Sequence, residues 1–396
     1  MLLIAAILAV LLIAKLFGEL AHRLGQPSIL GELFAGIFLG PLLLLFYDLS
    51  GIPAFAAIPN FIIGNNIFQV LSDLGIFFLM VLAGMEMSLD ELMKVKYKAF
   101  SITFTGVSLS FILGYLLGLH YNLRPIENLF FATTFTITAV AVIVKMLLDM
   151  GKLRSKIGYT LVTAATLDDI VGMFLLTIVI SLSGGAVGLY SISIIFVKVL
   201  IFFIVTLSVG RYLMFNLLKI SRKMKSSEAV FTMAVMAGLL IGIAAELIGL
   251  HMIIGAFIAG LLIREATLHT RDGSLIAHRF SGIALGFLAP IFFVWVGLYV
   301  SLEAIFNYPI FTLSAIILAC VGKIFGCSLG AMFAKFKLRD AITLGAGLNA
   351  RGVIGLVVIE IGRQTGLVGP VVYSIVVTVA FVTTLISPII FGKLMK

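Results

Sequence analysis

The chain has 396 residues, 62% of them hydrophobic and only 11% charged, and its mean hydropathy is +1.23. Soluble proteins carry about 25% charged residues, so the composition excludes a soluble enzyme or binding module and describes an integral membrane protein that is nearly all membrane domain. The formal charge of +9 would suit a nucleic-acid partner, but where the basic residues fall argues otherwise below.

Runs of about 18–25 apolar residues can each span a bilayer. Thirteen are expected: 2–20, 28–46, 67–87, 98–120, 127–148, 157–181, 189–218, 229–249, 251–263, 278–300, 309–334, 339–361 and 368–393. The ninth is short and nearly continuous with the eighth. The first starts at Met1 with no basic stretch ahead of it and no small-residue cleavage site, so no signal peptide is expected. The connection 47–66 holds Gly51, Pro53 and Pro59 and reads as a turn-rich loop. No linker, low-complexity tract or soluble module is expected. Cys320 and Cys327 share one apolar run and imply no disulfide framework.

The connections test this count. Odd-numbered ones carry His22 and Arg23; Lys94, Lys96 and Lys98; Lys152, Arg154 and Lys156; Lys219, Arg222, Lys223 and Lys225; Arg264, Arg271 and Arg279; and Lys335, Lys337 and Arg339. Lys393 and Lys396 close the chain, while even-numbered connections hold only Arg124 and Arg363. The positive-inside rule then puts the N-terminus outside and the C-terminus in the cytoplasm, in a cell membrane. The basic residues face anionic lipid, and nucleic-acid binding is not expected.

Several polar residues lie at membrane depth. Thr133, Thr134, Thr136 and Thr138 fall inside the fifth run. Either their hydroxyls bond back to their own helix, or they mark a break whose freed carbonyls and hydroxyls coordinate a cation. In the sixth run, Asp168 and Asp169 stand side by side within the apolar stretch 157–181. One charge at the centre of a spanning helix costs roughly 2.5–3.5 kcal/mol, and two adjacent carboxylates also repel each other. A bound cation, a shared proton or a buried lysine must compensate them.

Lys323, in the eleventh run, supplies such a lysine. It lies roughly 16–20 Å from either end of its run at 1.5 Å per residue, too deep for easy snorkelling. A buried partner is expected, with an aspartate of the pair the obvious one. Gly322, Gly326 and Gly330 recur every fourth residue and permit close helix contact. The twelfth run contains Gly345, Gly347, Asn349, Arg351 and Gly352, which suggests a discontinuous helix. The fifth and twelfth runs are the middle members of triplets 4–6 and 11–13, which start on opposite sides of the membrane. An inverted-topology repeat follows, and interrupted helices in corresponding positions point to a transporter site. Arg351 either ties helices together or takes part in that site. Glu32, Asp73, Glu246 and Glu360 are open between packing, accessory proton carriage and dimer contact, and Lys15 and Glu19 are four apart, a spacing at which two side chains can pair within one helix. His251, near Glu246, is open between pH sensing and an incidental position.

Taken together, these residues resemble bacterial sodium/proton antiporters of the NapA type, in the second cation:proton antiporter superfamily. Supporting stretches are Gln26–Glu32 with Gly36, Gly40 and Pro41; FFLMVLAGME ending at Glu86; GAFIAGL at 255–261; and Asn349-Ala350-Arg351-Gly352. The resemblance covers essentially the whole chain. It implies an all-α integral membrane protein of thirteen transmembrane helices with two crossed discontinuous helices, the NhaA-like antiporter fold. It implies a homodimer in which 1–97 and 229–308 form the dimerisation domain, 98–188 and 309–396 the core transport domain, and 189–228 a linking helix. Asp169 matches the ion-binding carboxylate, Asp168 the neighbour that pairs with Lys323, and Thr136 and Thr138 fall beside the ion. Arg351, Glu360 and Asn349 are possible accessory residues. Val353 departs from the pattern, because many relatives carry glutamate after the Arg-Gly pair, a role Glu360 could fill.

The implied activity is exchange of Na+ or Li+ for H+ by alternating access, electrogenic if Lys323 also titrates. No cofactor is called for beyond the transported ions, and no bond is made or broken, so an enzyme is not expected. Potassium/proton exchange is the alternative within the superfamily. A cation channel is less compatible, because channels usually assemble short subunits around a shared filter. Intramembrane aspartic hydrolysis needs catalytic aspartates on separate helices, and these two are adjacent, about 100° apart on one helix.

Overall fold

Within a bilayer each backbone N–H and C=O must find its partner inside the chain, and for this sequence that means helices. The computed structural model describes residues 2–50, 53–86, 97–152, 155–183, 197–198, 201–221, 224, 228–248, 250–267 and 271–395. Among them the regular structure is helical throughout, with no strand. Gly51, Lys94, Lys96, Arg154, Arg222, Lys223, Lys225, Lys396 and residues 189–196 of the seventh run lie outside the described residues.

In chain order the helices are α1 (Leu2–Arg23), α2 (Ser28–Ser50), α3 (Pro53–Gly64), α4 (Asn66–Glu86), α5 (Tyr97–His120), α6 (Pro125–Thr134), α7 (Val140–Asp149) and α8 (Lys156–Ser183). There follow α9 (Ile201–Ser221), α10 (Ala229–Leu247), α11 (Met252–Thr267) and α12, which runs from Arg271 to Leu298 through a π-helical turn at Ala284–Leu288. The last five are α13 (Leu302–Asn307), α14 (Pro309–Phe333), α15 (Leu338–Gly347), α16 (Val353–Gln364) and α17 (Pro370–Leu394). Nine helices among the described residues, α1, α4, α5, α8, α9, α10, α12, α14 and α17, are long and apolar enough to cross a membrane.

The expected loop at 47–66 is corrected. α2 continues to Ser50, and Pro53 opens the twelve-residue α3. Proline is tolerated at a first helical position, where its missing N–H would be unpaired anyway, so the proline read as a turn signal is a helix start.

The chain folds as two compact units, Met1–Leu89 with Gly184–Leu298, and Asp90–Ser183 with Tyr299–Lys396. In the first, α4 and α11 pack backbone to backbone. A Cβ on Gly84 would stand 2.0 Å from the Phe257 carbonyl oxygen, and one on Gly260 would stand 2.0 Å from that of Val81. The two glycine-bearing stretches of the sequence are therefore partners, each leaving room for the other's backbone. Arg264 adds a cation at the C-terminal end of α4, donating to the carbonyls of Met85 at 3.0 Å and Glu86 at 3.1 Å. The outward face of α1 carries Ile4, Leu8, Leu12, Leu16 and Leu20, all more than half exposed. An apolar stripe of that length suits lipid or a protein partner, not water.

The second unit holds two helix triplets, α5, α6/α7 and α8, then α14, α15/α16 and α17. Its outer triplet members meet where α5 packs on α14. A Cβ on Gly326 would approach the Thr105 carbonyl to 2.8 Å, and one on Gly330 the Ser101 carbonyl to 2.4 Å. The Ser101 hydroxyl donates to the Gly330 carbonyl at 3.0 Å, and Thr103 donates to that of Ala164 on α8 at 2.9 Å. Ile102, Ile143, Leu147, Leu161, Leu344 and Phe391 fill a core that joins both triplets.

Candidate functional site

The fifth and twelfth runs are each two short helices. α6 starts with Pro125 at its first position and ends at Thr134; Phe135–Ala139 leave the helix, and α7 resumes at Val140. α15 ends at Gly347 and α16 starts at Val353, with Gly352 extended before it. The two interruptions meet through the Ala139 N–H, which donates to the Ala350 carbonyl at 2.8 Å. A Cβ on Gly352 would lie 2.8 Å from Ala139 Cα and 3.2 Å from the Thr138 carbonyl oxygen. Glycine at 352 is what lets the strands of backbone touch.

Into this meeting point α8 brings Asp168 and α14 brings Lys323, 2% and 0% exposed respectively. The ammonium donates to Asp168 Oδ2 and to the Thr136 carbonyl. The Thr138 hydroxyl reaches the same Oδ2, with the Leu348 carbonyl as its second acceptor at 3.2 Å. A hydroxyl has one proton, and the charged acceptor makes the stronger bond. Asp168 Oδ1 is buried and accepts no hydrogen bond among the described residues. Asp169 is the next residue on α8 and is also buried, 7% exposed.

Thr136 contributes through its backbone, because its own hydroxyl donates back to the Thr133 carbonyl at 2.8 Å. Thr134 likewise donates to Phe131 at 2.7 Å. Helical back-bonding and a break thus occur together in the threonine run, and Thr138 is the member whose hydroxyl is turned to the charges.

Arg351 lies on the second interruption and is buried. Its guanidinium donates to the carbonyls of Thr134 at 3.1 Å, Phe135, and Ala319 on α14 at 2.9 Å. It therefore supplies a cation to the C-terminal end of α6, where unpaired carbonyls carry the negative end of the helix dipole. Asn349 faces α17, donating to Ser387 Oγ at 3.2 Å and more weakly toward Cys320 Sγ at 3.5 Å. Glu360 stands apart from this cluster. It is fully buried on α16 and accepts from Arg363 at 2.6 and 2.9 Å, Gln364 at 3.1 Å and the Tyr373 hydroxyl at 2.9 Å.

Two residues that sequence reasoning passed over hold the second interruption in place. Thr384 on α17 accepts the Arg351 N–H at 3.2 Å and donates to the Arg351 or Ala380 carbonyl, and Ser387 takes Asn349. Their signal was a set of hydroxyls, Thr383, Thr384 and Ser387, deep in the last apolar run. Among the described residues no group of three or more His, Cys, Asp or Glu side chains gathers to hold a resident metal.

Interrupted helices that meet around buried charges are the construction of secondary transporters. The family description "Sodium/hydrogen exchanger, transmembrane" matches residues 8–396, and the chain belongs to that family: it is a multi-pass sodium/proton antiporter of the cation:proton antiporter superfamily. Among its relatives, the Na(+)/H(+)-K(+) antiporter GerN of Bacillus cereus is 29% identical over 379 residues, covering 96% of this chain and 92% of GerN. The Na(+)/H(+) antiporter of Enterococcus hirae is 28% identical over 386 residues, 97% of this chain and 96% of that one. The sodium proton antiporter MjNhaP1 of Methanocaldococcus jannaschii superposes with a TM-score of 0.66 over 100% of this chain and 99% of its own. At 19% identity that likeness speaks to the fold alone.

Proposed function

We propose that the antiporter exchanges Na+ or Li+ for H+ at one site on its second unit, with Asp169 as the carboxylate that holds either the cation or a proton. The observation that carries this reading is the buried Lys323–Asp168 pair, with Thr138 and the Thr136 carbonyl, one residue from Asp169. Ionised Asp169 offers a hard cation its carboxylate, and the Thr138 hydroxyl and nearby backbone carbonyls add oxygen ligands of the kind such cations take. Protonated Asp169 is neutral and lets the ion go. A sodium arriving at Asp169 breaks the neighbouring pair. The freed lysine, with no counter-charge in apolar surroundings, releases its proton. Two protons then move for each sodium, and transport is electrogenic.

Exchange runs by alternating access, with 98–188 and 309–396 as the moving core, 1–97 and 229–308 as the dimerisation domain of a homodimer, and 189–228 as the link. Thirteen spans with the two interrupted helices crossing, the N-terminus outside and the C-terminus in the cytoplasm of a cell-membrane protein complete the arrangement. The inverted pairing of α6/α7 with α15/α16 and the alternation of basic connections support it.

The test is proton flux in proteoliposomes against Na+, Li+ and K+ in turn, followed by the membrane potential at which flux vanishes under a fixed sodium gradient. Sodium-driven flux that responds to imposed voltage is expected; flux indifferent to every cation would overturn the reading. Potassium is kept as a second substrate because GerN, similar over nearly the whole chain, carries K(+) in its name.

A further inference from the structure

Away from the charged cluster, the second unit contains a cleft of about 160 Å³ lined by Lys98 and Ala99 of α5, Lys156, Tyr159, Thr160 and Thr163 of α8, and Phe336. Drug-sized ligands occupy roughly 300–1,000 Å³, so this space suits a small head group. Its floor is one aromatic ring shared by two cations. The Lys98 ammonium lies 5.4 Å and that of Lys156 5.0 Å from the Phe336 centroid. Neither lysine makes an ion pair among the described residues. The alkyl stem of a lysine packs on apolar surface while its head stays wet, yet two like charges on one ring repel unless an anion sits between them. The attraction of each to the ring holds both heads at the cleft in advance of that anion.

We propose that this cleft binds the phosphate of an anionic phospholipid head group. The lysines would take the phosphate oxygens, and Tyr159, half exposed at the rim, adds an aromatic side chain of the kind that settles at head-group depth. Lipid is favoured over free phosphate because Lys98 and Lys156 border spanning helices α5 and α8, at the level where the bilayer itself presents phosphates at high local concentration. The topology proposed above places both lysines at the cytoplasmic leaflet; the binding itself does not require sodium exchange, so the two readings fail separately.

The experiment is native mass spectrometry of the full chain with phosphatidylglycerol or phosphatidylcholine added at matched concentration, for wild type and Lys98→Ala/Lys156→Ala. Each lysine near a lipid surface contributes roughly fivefold in affinity, so the pair should contribute roughly thirtyfold. Phosphatidylglycerol adducts should exceed phosphatidylcholine adducts in the wild type and fall by about that factor in the double variant. Lys98→Arg/Lys156→Arg keeps both charges and should keep the adducts, which guards against a double-alanine variant that fails to fold. Equal retention of both lipids by the wild type would overturn the proposal, as would undiminished phosphatidylglycerol on a well-folded double-alanine variant. Loss of the adducts on adding millimolar inorganic phosphate at constant ionic strength would assign the cleft to a free anion and overturn the lipid reading.

Discussion

Removing one member of the Lys323–Asp168 pair should do more harm than removing both. Asp168→Asn takes the negative charge from the acceptor that Lys323 pairs with and leaves the ammonium facing neutral oxygens there, in a place with no solvent exposure. Lys323→Met leaves the carboxylate with the Thr138 hydroxyl alone. Breaking a buried pair by deleting one partner costs about 3–5 kcal/mol, because the survivor is an uncompensated buried charge. Deleting both forfeits the attraction but also removes two desolvation penalties, and such replacements come out near neutral or stabilising by about 1–4 kcal/mol. On these figures the two single losses together exceed the double's by about 6 kcal/mol or more, and that difference is the coupling between the mutations. Because large membrane proteins unfold irreversibly, the comparison is of heating midpoints at one scan rate in one detergent, read by the surviving monodisperse fraction. Both single variants should melt well below wild type, and Asp168→Asn/Lys323→Met should recover most of the difference. A double variant that melts lower than either single, with losses that add, would refute the reasoning and make the two groups energetically independent.

Three further outcomes are expected. Asp169→Asn should abolish cation-driven proton flux while leaving the heating midpoint within a few degrees, since an amide neither binds a proton nor supplies charge; near wild-type exchange in a well-folded variant would remove Asp169 from the site. Thr138→Ala should raise the sodium concentration for half-maximal flux several-fold and Thr136→Ala should barely change it, because only the Thr138 hydroxyl is turned to the carboxylate; equal effects would mean the back-bonded hydroxyl of Thr136 swings into the site. Gly330→Ala should destabilise by about 1–3 kcal/mol through overpacking, as its Cβ would stand 2.1 Å from Thr105 Oγ1 and 2.4 Å from the Ser101 carbonyl; an unchanged midpoint would show that α5 and α14 separate freely.

The parts of this architecture that one helix carries in its own composition were legible in the sequence. The glycine spacing of α14 announced a close neighbour, and the depth of Lys323 demanded a buried partner. What the sequence withheld were choices decided by a second element. The threonine run could be read as back-bonded or as broken, and both happen, since the direction of the Thr138 hydroxyl depends on Asp168 thirty residues away. The prolines at 53 and 59 look the same in a loop and in α3. Thr384 and Ser387 gave no period or motif, because their work is to hold backbone and side chain of another helix. The sequence alone leaves Glu360 open among several roles, although Arg363 three residues on is a local partner within helical reach.

Under the proposed exchange, the charges around the interruptions say which proton accompanies Asp169's. Among the described residues, four buried acidic or basic side chains belong to this region: Asp168, Asp169, Lys323 and Arg351. With all four ionised the cluster is formally neutral, and a sodium added to it leaves one uncompensated positive charge in apolar surroundings. Something positive must then leave or be discharged. Arg351 is unsuited to that, because a guanidinium does not deprotonate in proteins, and its two terminal nitrogens are bonded to the carbonyls of Thr134, Phe135 and Ala319. Neither carboxylate has a proton to give in that state. Lys323 does, and lysine is the basic side chain whose charge responds to burial. It is ion-paired with Asp168, the carboxylate next to the proposed ion-binding residue. In the proposed exchange, then, Arg351 keeps its charge and the second proton displaced by sodium is assigned to Lys323.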